Sequence, residues 1–222
     1  TLAARAAAIG NSGTVTAGAG ALSLSATGAL DNSGGIGASG GALSARAGSL
    51  ANTGTIAAQA GLTLASASTL SNAGGQISST TGLASIAAVG ALDNTGGKIL
   101  DQSGDMTLSA QAVTNNGGAI QAGGSLTAAL ASYTSDTTAS LTAQQALAVT
   151  ATGAVDNEGT LGGGTGVTVT ADHIANGASA LLLATAGNLT LNAAGTGGLA
   201  NTGVIKSQTA SGILTIDAAT LG

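Results

Sequence analysis

The amino-acid sequence predicts an all-β fold, a right-handed parallel β-helix (β-solenoid) of about ten coils, each with roughly 21 residues and three short strands. Three observations predict it. A short phrase recurs at a nearly fixed period, each repeat carries three apolar positions, and the composition suits a narrow tube rather than a wide core.

The recurring phrase is an apolar residue, a small or acidic residue, Asn, any residue and Gly, followed soon by Ile, Val or Leu. It reads IGNSG at residues 9–13 and LSNAG at residues 70–74. Such a period indicates a solenoid, in which each unit buries its apolar face only against its neighbours. The repeated asparagines are Asn11, Asn32, Asn52, Asn72, Asn94, Asn115, Asn157, Asn176 and Asn201. The double-length interval after Asn115 indicates a degenerate corner near Asp136.

Each repeat has three apolar positions, which predict three strands. The second is an alternating segment such as Leu62-Thr63-Leu64, and the third is the residue two before each Asn, such as Leu70. Alternation of apolar residues with Ser or Thr is typical of strands with one buried face. The first position follows the corner and is occupied by Val15, Ile36, Ile56, Ile77, Ile99, Ile120, Leu141, Leu161, Leu181 and Ile205.

The Asn and Gly of the phrase predict a tight corner. Asn tolerates left-handed backbone, and the Gly two residues later supplies a positive φ without a steric penalty. Identical Asn side chains that stack along an axis can also hydrogen bond amide to amide, as they do in cross-β structures. We therefore expect the nine asparagines to form a structural ladder.

Composition supports this architecture and excludes several classes of protein. The chain has 38 Gly, one Tyr, and no Pro, Cys, Phe or Trp. Stacked coils need nearly every backbone N–H, which Pro lacks. A net charge of −5 with only four scattered basic residues offers no surface for nucleic acid. Without Cys there is no disulfide framework and no thiol metal site.

The whole chain, residues 1–222, is predicted to be a single β-helical repeat segment. Degenerate coils are expected near residues 130–150 and 176–200, where the phrase is altered or its spacing changes. Because both ends fall within a repeat, we expect the segment to come from a longer array.

Phrases such as ALDNSGG at residues 29–35 and GNLTL at residues 187–191 resemble the repeats of filamentous haemagglutinins. These are exoproteins of bacterial two-partner secretion, and they include adhesins and the stalks of contact-dependent inhibition effectors. The resemblance implies a secreted shaft on the surface of a Gram-negative bacterium, acting as a stiff spacer that displays a distal domain. It also implies an outer-membrane two-partner secretion transporter and a surface receptor on a host cell or a neighbouring bacterium. The family's secretion domain carries Asn-Pro motifs, which this Pro-free chain lacks.

Candidate chemical sites are few. His173, the one histidine, follows Asp172, but neighbouring strand residues point to opposite sides, so the pair predicts a surface histidine rather than a catalytic dyad. The carboxylates of Asp31 and Asp93 share a column but are about 14 Å apart, too far for a glycosidase pair; Asp156 lies three coils further on. Asp101 and Asp105 are interpreted as a solvated turn, with weak cation binding as the alternative.

A file of outward Ser and Thr residues is the one extended surface feature, and its alternative reading is ice binding. The file consists of Ser23, Ser44, Thr63, Thr107, Thr127, Thr168, Thr190 and Thr215. Direct adhesion of the shaft to glycans or proteins is a further alternative, for which Tyr133, Arg5 and Arg46 are the surface anchors. The sequence predicts no enzyme, no cofactor, no metal site and no small-molecule substrate.

Overall fold

The computed structural model describes residues 1–222, and all of its regular elements are β-strands. In chain order the strands are β1 (Leu2–Ala6), β2 (Ile9–Asn11), β3 (Thr14–Ala17), β4 (Leu22–Ala26), β5 (Ala29–Asn32), β6 (Gly35–Ala38), β7 (Leu43–Ala47), β8 (Ser49–Asn52), β9 (Thr55–Ala58), β10 (Leu62–Ser66), β11 (Leu70–Ser71), β12 (Gln76–Ser79), β13 (Ala84–Ala88), β14 (Leu92–Asp93), β15 (Lys98–Asp101), β16 (Met106–Thr114), β17 (Ala119–Ala122), β18 (Leu126–Thr134), β19 (Ser140–Ala143), β20 (Ala146–Ala151), β21 (Ala154–Asn157), β22 (Thr160–Gly163), β23 (Gly166–Asn176), β24 (Leu181–Ala184), β25 (Leu189–Asn201), β26 (Val204–Ser207) and β27 (Leu214–Ala218).

These strands wind into stacked coils that pair in parallel. The strand that follows the asparagine corner of each coil joins a 10-stranded sheet that runs from β3 to β26. The other two strands of each coil join a 17-stranded sheet. Within the 10-stranded sheet each strand pairs with its equivalents in the coils before and after it, as β12 does with β9 and β15. The prediction of a parallel β-solenoid with three strands per coil and about ten coils is confirmed.

Alternation along each strand decides which side chains enter the tube. In β10, Leu62 and Leu64 are buried, whereas the alternating residues Thr63 and Ala65 are only partly covered. Because coils pair in register, inward residues stack in columns, and one column of the 10-stranded sheet contains Ile36, Ile56, Ile77, Ile99 and Ile120. The core is therefore a narrow column of aliphatic side chains, which can be filled without larger aromatic side chains.

One inward position of the sequence prediction is wrong by a single residue. Leu182, not Leu181, pairs with Leu161 and is fully buried. The corner between Asn176 and β24 is longer than its neighbours and closes with a hydrogen bond from Ala180 N–H to the Gly177 carbonyl. Because side chains alternate along a strand, this extra length places Leu181 on the outer face.

The predicted corner geometry is also partly wrong. No residue other than Gly has a positive φ, so none of the asparagines is left-handed. Positive φ occurs in the Asn-x-Gly phrase only at Gly74, Gly96 and Gly117. Each of these three glycines is followed by a second glycine that passes close to the previous coil. A Cβ on Gly97, for example, would collide with the carbonyl oxygen of Asn72.

Burial falls at the two ends of the stack. The inward residues of the last coil are partly exposed, with Leu214 at 44% and Ile216 at 39%, because no further coil covers them in the structure. Leu2 in β1 is 41% exposed for the same reason. The structure contains no helix of the length and hydropathy needed to cross a membrane.

Candidate functional site

The most regular polar feature of the molecule is a column of asparagine side chains inside the tube. Except at Asn115 and Asn201, the Nδ2 atom of each asparagine donates to the Oδ1 atom of the asparagine one coil further along. The distances are 2.7 Å from Asn11 to Asn32, from Asn32 to Asn52 and from Asn52 to Asn72, 2.8 Å from Asn72 to Asn94, 2.7 Å from Asn94 to Asn115, 2.9 Å from Asn157 to Asn176 and 2.8 Å from Asn176 to Asn201. We call this column the asparagine ladder.

Each ladder amide also satisfies backbone carbonyls at the corner. Asn52 Nδ2 lies 3.2 Å from the carbonyl oxygen of Gly54 in its own coil and 3.2 Å from that of Gln76 in the next coil. Asn52 is fully buried, as are Asn72, Asn94 and Asn115. Buried polar groups need such partners, because an unpaired one loses its hydration without compensation. The ladder therefore ties every corner to the coil above it.

The ladder is interrupted once, and the interruption contains the one tyrosine. Ser135 occupies the asparagine position between Asn115 and Asn157, one residue before the Asp136 that the sequence indicated. Tyr133 takes the inward position of Val113 and Val155 and is 1% exposed. The expectation that Tyr133 lies on the surface is therefore wrong. Ala128 and Ser135 are small residues of the same coil, and both are buried.

Two hydroxyl groups pair with the ladder asparagines on the two sides of this interruption. Asn115 Nδ2 donates to the Tyr133 hydroxyl at 3.3 Å, and the Ser135 hydroxyl donates to Asn157 Oδ1 at 3.2 Å. The Ser135 side chain also lies close to Tyr133. Burial raises the pKa of Tyr133 to about 12, although its contacts with Asn115 and Ser135 oppose the shift. The phenol is therefore neutral and able to donate at ordinary pH.

Asp136 forms the exposed side of the same corner. Its Oδ1 accepts hydrogen bonds from the Gly117 N–H at 2.8 Å and from the Thr138 N–H at 3.0 Å. The bond from Gly117, which belongs to the previous coil, is the main reason that the pKa of Asp136 lies below its ordinary value. This carboxylate thus links two coils on the outside, opposite the hydroxyl pair.

His173 is half-buried rather than freely exposed. It pairs with Ala154 and Gly198 in the neighbouring coils, and its Nδ1 lies 2.9 Å from the Gly198 carbonyl oxygen. Since a carbonyl oxygen only accepts, Nδ1 carries the proton in this contact. The strand register shifts between Ala171 and His173, so Asp172 has no strand partner in β25 and remains exposed.

The other carboxylates do not converge either. Asp31, Asp93 and Asp156 occupy equivalent positions that are separated by three coils. Asp101, however, is 3% exposed, so its interpretation as part of a solvated turn is wrong. Its oxygens accept from the Ser79 hydroxyl at 2.7 Å and the Gly104 N–H at 2.7 Å, whereas Asp105 is exposed and accepts from the Ser125 N–H. No group of three or more His and carboxylate side chains is close enough to hold a metal ion.

The outward Ser and Thr residues lie in one column of the 17-stranded sheet, but the column is not continuous in Thr. Ser85 separates Thr63 from Thr107, and Ala148 separates Thr127 from Thr168. The neighbouring column of outward residues mixes Arg46, Ala65, Ala87 and Ser109. A surface this irregular lacks the uniform ranks on which the ice-binding alternative depends.

Two residues of functional interest were missed by reasoning from the sequence. Ser135 does not match the Asn of the phrase, and the YTSDT segment gives no sign of which residue faces inward. Asp101 was located in the right turn, but a carboxylate next to a bend gives no signal of burial. In both cases the signal is the residue's position in the column, which only the strand register supplies.

Comparison with known protein families shows that the haemagglutinin repeat matches residues 1–34, 38–96, 84–132 and 121–193. No curated protein and no solved structure matches the chain. The matched ranges cover most of the stacked coils, and they include eight of the nine asparagines at the corner position: Asn11, Asn32, Asn52, Asn72, Asn94, Asn115, Asn157 and Asn176. The chain belongs to the haemagglutinin repeat family.

Proposed function

We propose that this chain is a structural shaft, a stiff spacer in a secreted surface exoprotein that holds a distal domain away from the cell. Proteins with the haemagglutinin repeat are secreted or surface-displayed exoproteins. The observation that carries the proposal is the strand register, which continues from β3 to β26 through one sheet without a break. In such a stack each added coil extends the shaft by about 4.8 Å and introduces no new chemistry.

The proposal includes export through an outer-membrane two-partner secretion transporter of a Gram-negative bacterium. Three properties of the chain support this route. It has no Cys to be oxidised on the way, it has few charges, and its strands pair only with neighbouring coils. A chain with such local contacts can emerge unfolded and fold coil by coil outside the cell.

Direct adhesion by the shaft is the competing function. Binding surfaces usually depend on aromatic or Arg anchors, and the one tyrosine is buried inside the tube. Arg5 and Arg46 remain as possible anchors. They lie in the same outward column, with Ser25 in the coil between them. Two arginines on an otherwise small-residue face support a spacer better than a receptor-binding surface.

Deleting two whole coils tests the spacer function. Removing residues 53–94 joins Asn52 to Thr95 and keeps both the ladder and the sheet register. We expect the shaft to shorten by about 10 Å, measured by small-angle scattering, while the activity of the distal domain in the secreted protein persists at shorter reach. The matched control removes residues 53–79, which breaks the register, and we expect it to misfold.

Two results of the same experiment would contradict the proposal. One is a fall in cell or glycan binding by the isolated chain in proportion to the coils removed, because a passive spacer has no such binding. The other is an unchanged length in the two-coil deletion, because the length of a stack is the sum of its coils.

A further inference from the structure

Two Asn-Gly sequences occur in the chain, at Asn116-Gly117 and Asn176-Gly177, and the structure gives them opposite surroundings. Asparagine before glycine is the sequence most prone to spontaneous deamidation, because Gly has no Cβ to hinder its nitrogen. In this reaction the Gly backbone nitrogen bonds to the Asn Cγ atom and ammonia leaves, carrying the nitrogen's proton. Water then opens the resulting succinimide to aspartate or isoaspartate.

Asn176 is protected at both reacting groups. Its side chain is 1% exposed and lies in the asparagine ladder, where it accepts from Asn157 and donates to Asn201. The attacking group is held as well, because the Gly177 N–H donates to the Asn157 carbonyl at 2.9 Å. Cyclisation here requires three coils to separate, and this sequence should react only through a large opening of the stack.

Asn116 lies one residue outside the ladder, and its side chain has different surroundings from that of Asn176. The side chain is half-buried and forms no hydrogen bond, while Gly117 is exposed. Gly117 has a φ of +65° and lies at the tip of the corner that closes with a bond from Gly118 N–H to the Asn115 carbonyl. One contact restrains the attacking nitrogen, the 2.8 Å bond from Gly117 N–H to Asp136 Oδ1 in the next coil.

We infer that Asn116 is the deamidation site of this chain, and that the Asp136 carboxylate slows the reaction by holding the Gly117 N–H. The reaction needs only local opening of an exposed corner, which is far less demanding than separation of coils. Isoaspartate would add one carbon to the main chain at Asn116. That change would displace Gly117 from Asp136, at the coil interface where the ladder is already interrupted.

The test follows both sites in one sample by peptide mapping with mass spectrometry, after incubation of the intact chain in mildly alkaline buffer. We expect Asn116 to convert at least about tenfold faster than Asn176, whereas in denaturant the two should convert at similar rates. Replacing Asp136 with Ala should speed conversion of Asn116 by about tenfold without affecting Asn176. Asp136→Asn is the matched control, because its amide oxygen can still accept from Gly117.

Three outcomes would overturn the inference. Equal native rates at Asn116 and Asn176 would show that the ladder gives no protection. An Asn116 that stays intact in the native chain but converts in denaturant would show that the corner is closed. An Asp136→Ala chain with an unchanged rate at Asn116, and with Asn176 still protected as evidence of folding, would remove the role of the carboxylate.

Discussion

Asn suits the ladder position because its short amide carries both donors and an acceptor. The Nδ2 group has two hydrogens, which serve the next asparagine and the corner carbonyls, and Oδ1 accepts from the previous asparagine. Asp at this position would only accept, and an apolar residue would leave buried carbonyls without partners. A file of identical amides satisfies itself, whatever the number of coils.

Removing one amide from the middle of the ladder should destabilise the stack strongly. In Asn94→Ala, Asn72 Nδ2 loses its acceptor, Asn115 Oδ1 loses its donor, and the Gly97 carbonyl loses a partner. We expect the free energy of unfolding to fall by about 3 kcal/mol, measured by urea denaturation. Asn116→Ala is the control one coil away, and it should change stability by less than about 0.5 kcal/mol. Equal effects of the two substitutions would show that the ladder does not stabilise the fold.

Tyr133 provides a second prediction, since it is the one tyrosine in a chain without Trp. Its pKa is raised from 10.0 to about 12 in the folded chain. A raised folded pKa means that the neutral form favours the native state, so this contribution is complete below pH 10 and is lost as the pH rises through about 12. Ultraviolet absorbance of tyrosinate should therefore titrate near pH 12 in the native chain.

The control for this titration is Tyr133→Phe, which keeps the ring and removes the ionisable group. Its stability should fall less than that of the parent chain across the same alkaline range. A native chain whose tyrosinate appears at pH 10 would show that the phenol is hydrated, contrary to the burial of Tyr133.

At the scale of elements, the corners decide how closely coils can stack. Gly96 and Gly97 are adjacent but are needed for different reasons. Gly96 has a φ of +63° with open space around its Cβ position, whereas Gly97 lies against the Asn72 carbonyl and the Asn94 amide. Backbone conformation is therefore the constraint at the first, and contact between coils is the constraint at the second.

Alanine at these two positions should separate the two constraints. We expect Gly96→Ala to lower the free energy of unfolding by about 1 kcal/mol, the penalty of a left-handed residue. Gly97→Ala should lower it by about 3 kcal/mol or more, because backbone atoms of two coils must move apart. Thermal unfolding of both variants measures the difference. A Gly96→Ala chain less stable than Gly97→Ala would contradict the stacking geometry.

The sequence could predict the strands and columns because the period repeats them, so that errors in one repeat are corrected by the others. Two of its errors, at Leu181 and Tyr133, lie where the repeat is irregular. The longer corner after Asn176 displaced Leu181 by one residue, and a shift of one residue reverses which face is buried. Tyr133 was expected on the surface as a binding anchor, and nothing in the local sequence shows that it takes the inward position of Val113 and Val155.

Corner conformation was harder to predict for a different reason. The phrase Asn-Ser-Gly-Gly at residues 32–35 resembles Asn-Thr-Gly-Gly at residues 94–97, yet only the second has a positive-φ glycine. The choice depends on how the neighbouring coils space the backbone, which is a non-local property. The buried carboxylate of Asp101 is similar, because its partner Ser79 comes from the previous coil.

At the scale of the whole molecule, stability is a sum of contacts between neighbouring coils. Strands pair only with equivalents one coil away, so no contact connects distant parts of the stack. A stack of this kind can gain or lose whole coils without rebuilding its core, so the length of the molecule can change while its fold stays the same. This is the physical basis for the proposed spacer function, and it depends on equivalent residues lying directly above one another.

Disulfide formation between introduced cysteines tests that stacking most directly, because the chain has no cysteine of its own. Ser85 and Thr107 are register partners on the outer face, about 4.8 Å apart, which is within disulfide reach. Ser85 and Ser109 face the same side but are offset by two residues, about 8 Å apart, which is beyond it. We expect rapid intramolecular cross-linking in Ser85→Cys/Thr107→Cys and none in Ser85→Cys/Ser109→Cys. Cross-linking of the offset pair, or failure of the register pair in a folded chain, would contradict this stacking.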